Sequence, residues 1–114
     1  MTGSDWKIEI HDAFDFERFL DTLAPDQEAT VLLFLGKVAL LPSLLDAPRS
    51  WVRPLGRGLF EFRISGLNTL VRVFFTYKKG KLILLLGGYN KGADSSAARQ
   101  HKEISLARKR LGNA

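Results

Sequence analysis

Two charged residues, Glu61 and Arg63, lie within the otherwise apolar segment GLFEFRI. Three more residues able to do chemistry follow along the chain: Arg72, Tyr89 and Lys91. Guanidinium groups hold anionic oxygens through paired N–H donors, and phenol and ammonium groups can donate protons. If the fold brings these side chains to one surface, that surface could bind an anion such as a phosphate group and exchange protons with it.

Charge is distributed unevenly along the 114 residues, although the net charge of the whole chain is only +5. Residues 1–48 have a net charge of −6, whereas residues 49–114 have a net charge of +11. A segment this basic indicates an anionic partner, and nucleic acid is the leading candidate. The alternative is a solvated surface of lysine and arginine that only keeps the protein in solution.

The composition excludes several classes of protein and site. The chain has no cysteine, so it can form neither a disulfide nor a thiolate metal site. The two histidines, His11 and His101, are far apart, and we expect no metal and no cofactor. No signal peptide is evident, and the longest apolar stretches are far shorter than the roughly 20 residues of a membrane span. We therefore expect a single domain over residues 1–114, located in the cytoplasm without membrane contact.

The N-terminal part of the chain predicts one strand and two helices. WKIEI, residues 6–10, alternates apolar and polar residues, which is typical of a strand. HDAFDFERFLDTL places phenylalanine and leucine at helical spacing, with Asp12 as the N-terminal cap. Pro25 followed by acidic residues is typical of the start of a second helix, which should end near Pro42.

The rest of the chain predicts a connecting loop over residues 43–58, then three strands and a final helix. The three strands are indicated at residues 59–64, 69–77 and 81–89, and short links between them favour antiparallel hairpins. Asp94 or Ser95 can cap the last helix, which ends with ARKRL. The predicted fold class is α+β in the order β-α-α-β-β-β-α, a small antiparallel sheet with the helices packed on one face.

Side-chain alternation assigns the charged residues to one face of this sheet. With a four-residue link at 65–68 and a two-residue turn at Lys79–Gly80, Glu61 lies opposite Arg72 and Arg72 opposite Gly87. One face then collects apolar residues: Phe60, Phe62, Ile64, Val71, Val73, Phe75, Leu82, Leu84 and Leu86. The other face collects the candidate residues: Glu61, Arg63, Arg72, Gly87, Tyr89 and, if the strand continues, Lys91. The alternative is a purely structural cross-strand ion pair between Glu61 and Arg72.

Four segments, LGRGLFEFRI, VRVFF, LLLGGYNKG and the basic C-terminal ARKRL, together resemble the RelE/ParE superfamily, and in particular its phage-derived, HigB-like branch of toxin–antitoxin toxins. The resemblance covers residues 6–111 in element order and is most specific over residues 55–91. Its motif elements are Gly58, Glu61, Arg63 and Arg72, followed by the aromatic-x-Lys of Tyr89 and Lys91. The small sheet with two N-terminal helices that it implies agrees with the fold predicted from the residues.

The resemblance implies a ribosome-dependent mRNA endonuclease, in which the ribose 2′-OH attacks the adjacent phosphate without a metal ion. In that reaction Arg63 and Arg72 would hold the phosphate and stabilise its added charge. Tyr89 would stack on a base or protonate the leaving oxygen. Lys91 would bind a phosphate or transfer a proton. These four residues are the predicted catalytic set.

The chain departs from the superfamily pattern at two points. Many relatives have a second lysine after the aromatic-x-Lys motif, where this chain has Gly92. Some relatives use a histidine near the active site, and the only candidate here is His101 in the last helix, to which we assign no role. No residue is therefore assigned as the general base.

The resemblance also implies three partners: a cognate antitoxin, the ribosome and mRNA. Further basic residues are predicted to contact RNA: Arg49, Arg53 and Arg57 before the sheet, Lys78, Lys79 and Lys81 at a hairpin tip, and Arg99, Lys102, Arg108, Lys109 and Arg110 in the last helix. An acidic or amphipathic antitoxin segment would neutralise this basic half. Two alternatives share the predicted fold: a ParE-like inhibitor of DNA gyrase, and a ribosome- or RNA-binding module without catalysis.

Overall fold

The computed structural model of the chain describes residues 6–79 and 81–114. Its elements, in chain order, are β1 (Lys7–Ile10), α1 (Phe16–Asp21), α2 (Pro25–Ala39), a short 3₁₀ helix (Leu44–Asp46), β2 (Val52–Gly56), β3 (Leu59–Gly66), β4 (Thr69–Lys78), β5 (Leu82–Asn90) and α3 (Ala97–Gly112). The strands form one sheet in the order β1-β5-β4-β3-β2. The predicted α+β class is confirmed.

Strand β2 lies inside the segment that the sequence predicts to be a connecting loop. Its Pro54 cannot donate a ladder hydrogen bond, and proline in a sheet is confined mainly to edge strands. β2 is such an edge strand, paired only with β3 within the described sheet. Arg57 and Gly58 form the tight turn between the two strands with φ of 56° and 82°. A left-handed turn of this kind explains why the motif has glycine at position 58.

The sheet is mixed, which corrects the prediction of an antiparallel one. Strands β2 to β5 form an antiparallel meander, but β1 pairs in parallel with β5, from Lys7 opposite Leu82 to Ile10 opposite Leu85. Both helices α1 and α2 and three further strands separate these partners in sequence. Local patterns do not encode so distant a pairing.

Helices cover both faces of the sheet, which corrects the prediction that they pack on one. The larger core lies under α1 and α2, and its buried residues include Phe19 of α1, Val31, Phe34, Leu35 and Val38 of α2, and Phe62, Ile64, Val71, Val73, Phe75, Ile83 and Leu85 of the sheet. On the opposite face, Ala107 of α3 packs on Leu59, Phe74, Leu86 and Tyr89. Because the charged face also carries these apolar residues, it needs a cover of its own.

The first two helices begin and end where local signals allow. Asp15, rather than the predicted Asp12, caps α1 by accepting a hydrogen bond from the backbone N–H of Arg18. α2 starts at Pro25 as predicted, because proline suits the first helical position. It ends at Ala39, three residues before Pro42.

The cap of α3 is Ser96, not the predicted Asp94 or Ser95. The Ser96 hydroxyl accepts a hydrogen bond from the backbone N–H of Arg99 at 3.2 Å. Asp94 instead accepts from the backbone N–H of Ser96 at 3.0 Å, and hydrogen bonds from Ser96 lower the pKa of the Asp94 carboxyl. The turn before α3 is therefore held by its own side chains.

The β3–β4 register is shifted by two residues from the predicted one. β3 extends to Gly66 and β4 resumes at Thr69, so the hairpin turn has two residues rather than four. Phe62 consequently lies opposite Val73, and Arg63 lies opposite Arg72. A shift of two residues leaves every side chain on its predicted face, since alternation has a period of two.

The β4–β5 register differs from the predicted one in two steps. Lys78 pairs with Leu82, so three residues lie between them instead of two; Gly80, half of the predicted turn, lies outside the described residues. The extra turn residue shifts β5 by one position, which moves its side chains to the opposite face of the sheet. Leu84 and Leu86 therefore lie in the cluster under α3 and not, as predicted, in the larger core. A bulge at Leu86, between the pairs Phe75–Leu85 and Phe74–Gly87, reverses this shift. Beyond it the predicted face is correct.

Gly88 should tolerate a side chain poorly. A Cβ atom at this position would lie 3.2 Å from the carbonyl oxygen of Arg72 and from the ring of Phe19, and neither the sheet backbone nor the buried ring can easily move. We expect Gly88→Ala to lower the free energy of unfolding by about 1–3 kcal/mol in urea denaturation. Gly87→Ala is the matched control, because its closest contact, at 3.3 Å, is the end of the long Arg110 side chain rather than backbone or a buried ring. Equal losses for the two variants would contradict this packing.

Candidate functional site

Three of the four predicted catalytic residues lie side by side on adjacent strands. Arg63 of β3 is directly opposite Arg72 of β4, and Arg72 is directly opposite Tyr89 of β5. Cross-strand neighbours of this kind have Cβ atoms about 4.5–5.5 Å apart. The strands therefore bring together residues that the sequence separates by up to 26 positions. We call Arg63, Arg72 and Tyr89 the Arg–Arg–Tyr row.

Arg72, the middle of the row, is buried beside a carboxylate. Its side chain is 6% exposed and that of Glu61 is 1% exposed, and Arg72 Nε lies 3.9 Å from Glu61 Oε1. Glu61 pairs in the sheet with Phe74, so it reaches Arg72 along the diagonal rather than directly across. Arg72 also donates from Nη1 to the carbonyl of Val71 at 3.2 Å. The prediction of an ion pair is confirmed, and its predicted register is wrong.

The electrostatic balance at Arg72 is governed by burial. Burial lowers the pKa of the Arg72 guanidinium, and the Glu61 carboxylate opposes that shift. The neighbouring guanidinium groups of Arg63 and Arg53 lower the pKa further. A guanidinium remains protonated at neutral pH even so, because its ordinary pKa is far above 7. The buried cation Arg72 is thus balanced by the buried Glu61 carboxylate, and the exposed guanidinium groups of Arg63 and Arg53 lie near this pair.

Tyr89 is 1% exposed and lies beneath α3. The Arg99 guanidinium carbon is 5.2 Å from the centroid of the Tyr89 ring, and Arg99 Nε donates to Glu103 Oε2 at 2.8 Å. Burial raises the pKa of the Tyr89 phenol, and the Glu61 carboxylate adds to that rise. Tyr89 is therefore a neutral phenol at neutral pH and can donate a proton.

Two polar atoms of this cluster are buried without a hydrogen-bond partner among the described residues. They are the Tyr89 hydroxyl and Glu61 Oε2. A buried polar atom left unpaired costs about 1–3 kcal/mol, so such atoms are uncommon and concentrate at sites with a further purpose. These two unpaired atoms therefore lower the stability of the folded state.

Helix α3 closes the face that the sequence predicts to be an open, charged surface. Arg72 and Tyr89 are buried, whereas Arg63 is exposed at the edge of the covered region. The cover arises because apolar residues of α3, Ile104, Ala107 and Leu111, pack between the charged positions of the sheet. The prediction of an accessible surface is therefore wrong for Arg72 and Tyr89, but both residues lie on the predicted face of the sheet.

Lys91, the fourth predicted catalytic residue, does not continue the strand. β5 ends at Asn90, and Lys91 begins the turn that leads to α3. The turn is tied to the sheet by the backbone N–H of Gly92, which donates to the carbonyl of Leu70 at 2.9 Å. Lys91 is half-buried two residues after Tyr89, outside the extended path on which its prediction depends.

Arg63 also borders a cleft of about 380 Å³ between α2 and the start of β2. Phe34 and Trp51 form an aromatic wall there, with ring centroids 4.9 Å apart. Lys37 of α2 contributes a second cation to the lining. Sequence analysis missed this cleft, because no local pattern places the end of α2 beside Trp51.

The predicted peripheral residues divide into two groups. Seven are exposed: Arg49, Arg53, Arg57, Lys78, Lys79, Lys102 and Lys109. The lysines of the β4–β5 hairpin start six residues beyond Arg72, which is about 20 Å along a strand, so they are remote from the row. Lys81 in the same hairpin is half-buried.

The other group is engaged within the fold. Arg108 donates to the carbonyls of Leu55 and Gly56 at 3.0 and 3.1 Å, and Arg110 donates to the carbonyl of Leu86 at 2.9 Å. Arg99 pairs with Glu103, a partner that the sequence analysis did not identify although their four-residue spacing on a helix is a usable signal. Arg108 and Arg110 thus hold α3 on the sheet, whereas the Arg99–Glu103 pair lies within α3.

Two further features are absent from the part of the chain that the structure describes. Over residues 6–79 and 81–114, no group of three or more acidic, histidine or cysteine side chains could hold a metal ion. In that same part of the chain, no helix is both long and apolar enough to cross a membrane.

Removing one member of the buried ion pair should cost more stability than removing both. Arg72→Met leaves the Glu61 carboxylate buried without a counter-charge, and we expect it to lower the free energy of unfolding by about 3–5 kcal/mol. The double variant Glu61→Met/Arg72→Met should recover most of that loss in urea denaturation. Arg63→Met, at an exposed position, is the control and should change stability by only about 0.5 kcal/mol. A double variant no more stable than Arg72→Met would contradict the pairing.

Comparisons with known proteins agree on the fold. A crystal structure of an archaeal RelE–RelB complex from Pyrococcus horikoshii OT3 matches with a TM-score of 0.53 and 18% identity, over 77% of this chain and 97% of that one. At this identity the match shows the fold alone. A comparison with curated proteins gave no significant match. The model of the family described as "Phage derived protein Gp49-like (DUF891)" matches residues 18–112. This chain is therefore a RelE-fold member of the phage-derived Gp49-like family, as its sequence motifs predict.

Proposed function

We propose that this protein is the toxin of a type II toxin–antitoxin pair, and that it cleaves mRNA on the ribosome in the cytoplasm. The observation that carries the proposal is the Arg–Arg–Tyr row, two arginines and a neutral tyrosine on adjacent strands of a RelE-like sheet. The aromatic-x-Lys sequence at Tyr89 favours a nuclease over an inhibitor that only binds DNA gyrase. The net charge of +11 over residues 49–114 supports an RNA substrate.

In the proposed reaction, the 2′-oxygen forms a bond to the adjacent phosphorus and the bond to the 5′-oxygen breaks. Arg63 is exposed and would bind the phosphate first. Arg72, in surroundings of low dielectric constant, would stabilise the negative charge added in the transition state. The neutral Tyr89 phenol would give its proton to the leaving 5′-oxygen. Lys91, two residues after Tyr89, would hold a flanking phosphate. No residue is assigned as the base, and the proton of the 2′-OH would pass to water.

The proposed protein partner is a cognate antitoxin. The structure from Pyrococcus horikoshii OT3 that shares this fold is described as a RelE–RelB complex. For this chain, the positive charge of the second half favours a partner segment that is acidic. Such a segment would compete with RNA for the same cations.

Substrate access requires a change in the fold. Arg72 and Tyr89 are buried, and Tyr89 packs in one cluster with Ala107 of α3, so RNA would reach the Tyr89 hydroxyl when α3 moves away from the sheet. The turn 91–96 precedes α3 and is where such a movement would start. The two unpaired buried atoms, the Tyr89 hydroxyl and Glu61 Oε2, would gain partners in the open state.

Activity should depend on Arg63 and Tyr89 without loss of stability. In a translating extract with mapped 5′ ends, we expect Arg63→Ala to slow cleavage by about 10²–10³-fold and Tyr89→Phe by about 10²–10⁴-fold. Because the Tyr89 hydroxyl has no partner among the described residues, Tyr89→Phe should be as stable as the wild type or more stable. Lys7→Ala on β1 is the control with unchanged cleavage.

Other outcomes of this assay distinguish the alternatives. RNA cuts that appear only with ribosomes would support the proposed target. Intact mRNA together with DNA breaks would replace it with gyrase inhibition. Translation arrest without cleavage would indicate a binding module, and the row would then be structural.

A disulfide between α3 and β5 should block cleavage reversibly. A Cβ atom on Gly87 would lie 4.0 Å from the Cβ atom of Ala107, which is within the range for a disulfide. The chain has no cysteine, so Gly87→Cys/Ala107→Cys introduces a single defined pair. We expect the oxidised protein to lose cleavage and to regain it with a reductant, while each single-cysteine variant stays active. An active oxidised form would show that α3 need not move.

A further inference from the structure

Helix α2 exposes an apolar stripe on its outer side. Leu32, Leu33 and Leu40 are 45%, 62% and 71% exposed. Ala29 and Gly36 are also exposed on this helix. With 3.6 residues per turn, these five residues lie on one side of α2, opposite the buried residues Val31, Phe34, Leu35 and Val38. We call Ala29, Leu32, Leu33, Gly36 and Leu40 the α2 stripe.

Gly36, in the middle of the stripe, has no role within the described chain. A Cβ atom there would have no neighbour within 4 Å, so packing in the monomer does not require glycine. Glycine inside a helix costs about 0.5–1 kcal/mol relative to alanine. A residue without a side chain at the centre of an exposed apolar stripe allows another helix to approach closely.

The charges beside the stripe are complementary to those of a second, antiparallel copy of α2. Asp26 and Lys37 are both exposed and are eleven residues apart, which is about three turns, so they lie on the same edge of the stripe at its two ends. When two copies of α2 pack antiparallel about a two-fold axis, each edge meets the same edge of the partner helix. Asp26 of each copy then comes opposite Lys37 of the other.

We propose that the α2 stripe binds the α2 stripe of a second copy of this chain, with the two helices antiparallel. The leucines of the two stripes interdigitate, and Gly36 lies against the N-terminal half of the partner's stripe, near Ala29. Two Asp26–Lys37 ion pairs fix the direction of the helices. The dimer does not cover Arg72 and Tyr89, because α2 and α3 lie on opposite faces of the sheet; it comes closest to Arg63, which shares a cleft with Leu33 and Lys37. It does not depend on the proposed nuclease activity.

The first test is the molar mass of the purified chain as a function of concentration, by sedimentation and light scattering. We expect a monomer–dimer equilibrium that Leu33→Glu abolishes, since it places a charge in the apolar contact. Leu106→Glu, at another exposed leucine on α3, is the matched control and should dimerise like the wild type. A wild-type chain that stays monomeric at high micromolar concentration would overturn the proposal.

Charge exchange tests the direction of the helices. Asp26→Lys and Lys37→Asp should each raise the dimer Kd about tenfold, because each replaces two attractions with two repulsions. The double variant Asp26→Lys/Lys37→Asp should return the Kd to within about threefold of the wild type. Failure of the double variant to recover would overturn the antiparallel arrangement. If Leu33→Glu instead prevents binding of a different protein to a monomeric wild type, the stripe serves that protein and the dimer is wrong.

Discussion

The buried ion pair between Glu61 and Arg72 is the constraint around which the rest of this structure is arranged. Two charges on the central strands are removed from water, and each is tolerable only because the other is 3.9 Å away. The pair sets Arg72 between Arg63 and Tyr89. Helix α3 packs on Leu59, Phe74 and Leu86 of the same face and so keeps these apolar residues from water. Ala107, a small residue, allows that close approach.

The same burial preorganises the side chains of the site and closes the site to solvent. Burial strengthens the field of Arg72 and keeps the Tyr89 phenol neutral, and both effects suit the stabilisation of a charged phosphate and the protonation of its leaving group. Burial also leaves the Tyr89 hydroxyl and Glu61 Oε2 without partners among the described residues, which destabilises the closed state. A cluster of this kind is more easily opened than an apolar core of equal size, because opening restores hydrogen bonds to its polar atoms.

Sequence alone could predict which residues of β3 and β4 share a face, because alternation in FEFRI is strict and a two-residue shift does not alter it. It could predict that β5 is a strand but not its register, since LILLLGG is apolar throughout and carries no alternation. The error there came from one extra turn residue, and the bulge at Leu86 cancelled it before Tyr89. Nor could it predict that α3 covers the charged face, because an amphipathic helix does not specify which apolar surface it packs against. The parallel β1–β5 pair is a long-range contact of the same kind.

The acidic and basic halves of the sequence contribute helices to opposite faces of the sheet. Residues 1–48, with a net charge of −6, form β1 and the helices on one face of the sheet, whereas residues 49–114, with a net charge of +11, form the meander and the helix on the other. An anionic surface such as RNA is attracted to the α3 side and repelled from the α2 side. In the proposed function the row would therefore meet RNA first, while the α2 stripe, within the acidic half, is left for a protein surface. The two surfaces approach each other only at Arg63, which shares a cleft with Leu33 and Lys37 of α2.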